Sequence, residues 1–123
     1  MTPPQLRQLA STQVEATIAD LPAELRSHAV RLPILFLDLP SPEILADEFE
    51  PDILGLFVGP PHGADTGDSN DVPVKILLFT LNIWDYAAED EETYLDEIHL
   101  TYLHELGHYF GWDEDDLVAR ELD

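Results

Sequence analysis

Apolar positions recur along this chain at two different spacings, and the alternation between them gives the first outline of a fold. Leu6, Leu9, Val14 and Ile18 follow a roughly helical period behind Thr2, which can cap, and Pro3 and Pro4, which suit a first turn. Asp20-Leu21-Pro22 interrupts that pattern, and 23–29 reads as a second, short helix started by Pro22. The spacing then tightens. Residues 34–39 form an apolar run, interrupted by Asp38 alone and ended by Pro40-Ser41-Pro42, which predicts a buried strand, and 42–48 leaves room for a helical turn or two. A second strand is expected over 53–58, closed by Gly59-Pro60-Pro61, and a third over 74–81, rich in Val, Ile, Leu and Phe. Between them, 59–73 is Gly-, Asp-, Ser-, Asn- and Pro-rich without apolar periodicity and reads as a long loop. Residues 82–90 read as a connector. The strongest helical pattern covers 91–110 and is stopped by Gly111, and 113–122 allows a short final helix with acids in its first turn. Helices, then three strands, then a long helix make the class α+β or mixed α/β.

The long helix carries His104-Glu105-Leu106-Gly107-His108, an HExxH sequence. On a helix, residues four apart stand one above the other, so both imidazoles can reach a single ion at about 2.0–2.1 Å. Glu105 sits beside the pair, placed to take a proton as a general base without itself being a ligand. The bland alternative is two exposed histidines on an acidic helix. Projected at about 100° per residue, Leu95, Ile98, Tyr102, Leu106 and Tyr109 form a core-facing stripe. His104 and His108 lie nearly opposite, with Glu97, Leu100 and Thr101 beside them. His99 falls with the apolar stripe and reads as a packing or capping residue. Glu97 shares the metal face but sits two turns earlier, about 10 Å along the axis, too far to bind the same ion.

Two histidines leave a catalytic zinc site one protein ligand short. In the extended pattern HExxHxxGxxH, a glycine lets the chain turn back so that a last histidine reaches the metal. Here the glycine is Gly111, and Glu114 stands where that histidine would be. Glu114 is therefore the first choice for third ligand, followed by Asp115 and then Asp113, Asp116 and Glu121. The same acids can instead cap and stabilise the last helix. No methionine follows the motif, so the Met-turn of the larger clan with that pattern is missing. No residue stands out as an oxyanion donor: His62 reads as a solvated loop residue, and Tyr109 projects away from the metal face. Fifteen residues follow His108, so a shallow cleft is expected.

Composition narrows the chemistry. The 123 residues include no cysteine, which excludes disulfides and thiolate metal sites and leaves His and carboxylates as ligands. Peptide deformylase, another HExxH chemistry, uses a cysteine ligand and is excluded with them. Asp and Glu number 26 against 5 Lys and Arg, a net charge of −21, so neither nucleic-acid phosphates nor anionic membranes are expected partners. The first reading of such a surface is solubility or salt adaptation, ahead of a surface for basic partners, and the same field attracts divalent cations and basic peptides. The N-terminal residues lack the apolar run of a signal peptide, and no window reaches membrane-spanning length, which makes a cytoplasmic, single-domain chain over 1–123 the expectation.

Several segments together resemble one family, the small bacterial zincin-like metallopeptidases, long carried as a domain of unknown function. The segment 19–25, ADLPAEL, is similar to that family's "LPEEL". Asp38-Leu39-Pro40-Ser41 resembles its strand-ending "DxPS", and 54–59, LGLFVG, its "LLGLYxG". The segment 73–79 resembles the strand before its active helix, and 104–111, HELGHYFG, its "HEIGHHFG", followed here by acids and Leu117. The resemblance implies a compact zincin-like domain with N-terminal helices, a small mixed sheet of three or four strands and an active helix near the C-terminus. It implies Zn2+ held by His104 and His108, Glu105 as base and an acid at Glu114, and supplies no substrate; a peptide or protein substrate is the expectation from the HExxH chemistry itself. The extended loop holding Gly63 and Gly67 departs from the family pattern. Two functions follow: a zinc metallopeptidase, or a catalytically silent zinc-binding interaction module, against which the retained Glu105 speaks. Strand 74–81 leaves two readings open, a free edge on which an extended substrate adds or an interior strand of the sheet.

Overall fold

The computed structural model describes residues 1–47, 49–59 and 74–110. Helix α1 (Pro3–Ala19) starts as the sequence dictates: the Thr2 hydroxyl accepts the Gln5 N–H at 3.3 Å, and the Gln5 side chain accepts the Thr2 N–H at 2.8 Å. Leu6, Ala10, Val14 and Thr17 are its buried face. Helix α2 (Ala23–Ala29) follows Pro22 directly. Strand β1 (Ile34–Leu37), helix α3 (Pro42–Ala46, capped by Ser41) and strand β2 (Gly55–Val58) come next, then strand β3 (Lys75–Phe79). Helix α4 (Thr80–Tyr86) and the long helix α5 (Glu91–Tyr109) complete the described chain.

The strands form one mixed sheet in the order β1-β3-β2, with β1 parallel and β2 antiparallel to β3. β3 is thus interior, with a partner on each side, so of the two readings of 74–81 the interior one holds and the free edge is excluded. The physical reason is burial: Ile76, Leu77, Leu78 and Phe79 are all buried, as suits a central strand and not an edge. β1 and β2 are the two edge strands. The Phe79 N–H bonds the Leu54 carbonyl, so antiparallel alternation points the backbone polar groups of Gly55 and Phe57 away from β3.

A correction concerns 80–86, expected as strand end and connector but folded as α4. The strand stops because the Thr80 hydroxyl donates to Leu37 O at 3.2 Å and the Leu81 N–H to Asp38 O at 3.1 Å, which turns the chain out of the ladder. Ile83 and Ala87 then fall into the core. α5 and α1 pack on one sheet face, where Leu6, Val14, Ile76, Leu78, Ile98, Tyr102 and Leu106 form the centre of that core. Two polar contacts lock these helices together: Tyr94 OH donates to Leu6 O at 2.7 Å, and Thr17 Oγ1 lies 2.8 Å from His99 Nδ1. His99 is therefore the packing residue that its place on the helix predicts. The loop expected after Gly59 and the final helix at 113–122 lie outside the described residues.

Candidate metal centre

Helix α5 positions the site. Asp90 caps its start, accepting from the N–H and hydroxyl of Thr93 at 2.9 and 2.7 Å, and Glu91 and Glu92 complement the positive end. Tyr94, Ile98, Tyr102 and Leu106 anchor it in the core, and in its last two turns His104 and Glu105 line a cleft shared with Leu54 and Gly55. His104 is half-buried, His108 exposed and Glu105 buried. The ε-nitrogens of the two imidazoles are 3.0 Å apart, with the rings nearly perpendicular at 86°. One ligand atom from each of His104, Glu105 and His108 lies within 4.8 Å of the others.

These residues fit a metal ion. A tetrahedral ion with bonds of about 2.0–2.1 Å holds its ligands roughly 3.3 Å apart, close to the separation of the two ε-nitrogens. Glu105 is different in kind from the histidines. Burial pushes its carboxyl above the ordinary range, while neighbouring His104 and a hydrogen bond from the Phe57 backbone N–H pull the other way. A carboxylate held above its usual range yet hydrogen-bonded for orientation is suited to exchange protons. Glu97, two turns earlier, is not in the metal-binding cluster, as its spacing requires.

With this geometry in view, the comparison with known families is decisive: a family model described as zincin-like metallopeptidase matches residues 29–123. The chain belongs to the zincin-like metallopeptidases. No curated protein matches it. The fold is the one expected of this family, α+β with a small mixed sheet and the HExxH helix late in the chain. Membership implies a zinc ion and peptidase chemistry at the level of the family, and the His104–Glu105–His108 group is where this zincin-like chain can hold a metal. Glu114 and its alternatives Asp113, Asp115, Asp116 and Glu121 lie outside the described residues. Tyr109 packs edge-on against Phe57, with ring centroids 6.0 Å apart. Among the described residues no helix is long and apolar enough to cross a membrane.

Three contributors were not foreseen from the sequence. The Phe57 N–H comes from the backbone of another element and leaves no trace in residue type. Gly55 did leave one: a lone glycine inside a strand pattern marks a close backbone approach. A Cβ there would lie 2.9 Å from Thr101 Cγ2 and 3.2 Å from Leu77 O, so only glycine lets β2 press against α5 this closely. Tyr86, at the end of the unforeseen α4, borders the cleft that opens onto His104 and Glu105.

Proposed function

We propose that this chain is a zinc-dependent peptidase in which His104, His108 and an acid beyond α5, Glu114 by its spacing, hold the ion and Glu105 is the general base. The observation that carries the reading is the pairing of two convergent imidazole nitrogens, 3.0 Å apart, with a buried carboxylate on the adjoining residue. Zinc bound there supplies a Lewis acid, which acidifies water toward neutrality and polarises a peptide carbonyl. Glu105 accepts the proton of the attacking water. The burial that raises its proton affinity then lets it hold that proton until the departing amine takes it.

The outer edge of β2 is the natural seat for an extended substrate, since Gly55 directs its N–H and C=O away from β3. A peptide added there runs beside the site as a fourth strand. The cysteine-free, strongly acidic sequence suits a cytoplasmic peptidase acting on peptide or protein, without nucleic-acid or membrane partners.

The test is metal analysis together with a peptide-library digest, on wild type and Glu105→Gln. Bound zinc in both with cleavage by wild type alone is the expected outcome. Zinc in both and cleavage by neither would instead support a silent zinc-binding interaction module, and absence of zinc from wild type would end both readings.

A further inference from the structure

Beside the metal centre a cleft of about 580 Å³ runs back along α5, and its walls are chemically uneven. Glu97 supplies a carboxylate, Tyr86 an aromatic ring, and Leu54 and Leu100 apolar surface, while His104 and Glu105 close one end. Tyr86 is 66% exposed and Leu100 41%, an arrangement that leaves apolar surface in water next to a reactive site. An anion, a ring face and an aliphatic wall in one cleft match a single kind of side chain, a long alkyl stem ending in a cation.

We propose that this cleft selects peptides with a Lys or Arg side chain about three residues from the bond that is cleaved. The proposal rests on the peptidase reading above and names its substrate class. The stem lies along Leu54 and Leu100, and the ammonium or guanidinium reaches Glu97 and the Tyr86 ring. The spacing follows from geometry: Glu97 precedes His104 by two helical turns, about 10 Å. An extended peptide on the edge of β2 covers that distance in about three residues at roughly 3.3 Å each. The charge of the whole chain, −21, works in the same direction by drawing basic segments in and repelling acidic ones. Glu97 is thus a specificity-determining residue and takes no part in the chemistry at the carbonyl.

The test uses a series of otherwise identical peptides with Lys, norleucine or Glu placed at successive positions. Two readouts are taken: kcat/KM with the zinc-loaded wild type, and binding to zinc-loaded Glu105→Gln by fluorescence anisotropy. At one position Lys should exceed norleucine about tenfold in both, with Glu weakest. Glu97→Gln should bring the Lys-to-norleucine ratio to about one, and Glu97→Lys should place Glu above Lys, with zinc content unchanged in each. Equal treatment of Lys and norleucine at every position, or a Lys preference that survives Glu97→Gln, overturns the proposal, as does failure of every peptide to bind. Glu97-dependent binding of Lys peptides without cleavage by wild type would keep the proposal and overturn the hydrolytic reading.

Discussion

Tyr94 and Tyr102 stand on the same helix and are both fully buried, yet one hydroxyl is satisfied and the other is not. Tyr94 OH donates to Leu6 O, whereas Tyr102 OH has no hydrogen-bond partner among the described residues. Desolvation pushes both phenols well above the ordinary value, but only the first gains a bond for its burial. Opposite responses to the same substitution follow. Tyr94→Phe should lower stability by about 1 kcal/mol, while Tyr102→Phe should be neutral or gain up to about 1 kcal/mol, read from urea midpoints. Glu105 gives a residue-scale prediction in pH. Its folded-state pKa is raised, so the folded metal-free chain binds that proton more tightly than the unfolded chain does. The associated stability is present at acid pH and is lost as pH rises through the raised value. Metal-free Glu105→Gln, which cannot ionise, should therefore be more stable than wild type at pH 7, with the gap closing as pH falls. A gap that widens toward acid pH would reverse the sign assigned here.

Between elements, the contact that matters most to the site is β2 against α5. Gly55→Ala would drive a methyl into Thr101 Cγ2 and toward the Leu77 carbonyl, and the backbone of an interior strand cannot yield as a side chain can. The expected cost is about 1–3 kcal/mol, with a larger proportional loss of peptidase activity because β2 also carries the Phe57 N–H to Glu105. Thr101→Ser removes the clashing Cγ2, so the double variant should recover part of both losses; strictly additive effects would show that the two positions do not meet. The α4–α5 turn offers a simpler case. Ala88 and Glu89 both have positive φ, 57° and 60°, and Ala88→Gly should stabilise by up to about 1 kcal/mol in thermal unfolding. This scale also shows what the sequence can and cannot convey. α1, α2 and α5 were legible because their caps, prolines and apolar periods are local, and the HExxH spacing is legible for the same reason. α4 was not, since TLNIWDY is too short to display a period and is turned from strand to helix by contacts with β1. Nor was the interior place of β3, because strand order is decided by which partners bury Leu77 and Phe79, and no local pattern in VKILLFTL distinguishes a central from an edge strand.

For the molecule as a whole, charge is the dominant fact. With 26 acids against 5 Lys and Arg, compaction brings like charges together, and the described chain offers few ion pairs in return; Arg7 with Asp38 is the one seen. That pair is well exposed at both ends and so contributes little. The folded state is therefore under self-repulsion that the unfolded chain partly escapes by expanding. Raising salt shortens the screening length from about 30 Å at 0.01 M to about 3 Å at 1 M, which removes most repulsion between surface carboxylates while leaving buried contacts almost untouched. Stability should rise accordingly by about 1–2 kcal/mol, seen as a midpoint increase of roughly 5 °C, and equally for NaCl and KCl. The same screening should weaken capture of basic peptides, because attraction at the cleft and repulsion across the surface arise from one field. Salt should thus raise the melting temperature while it lowers kcat/KM for Lys-containing peptides and leaves that for norleucine peptides nearly unchanged. Parallel loss for both peptides would instead mark salt as acting on the metal centre, and a melting temperature indifferent to salt would show that the acids are already neutralised within the fold.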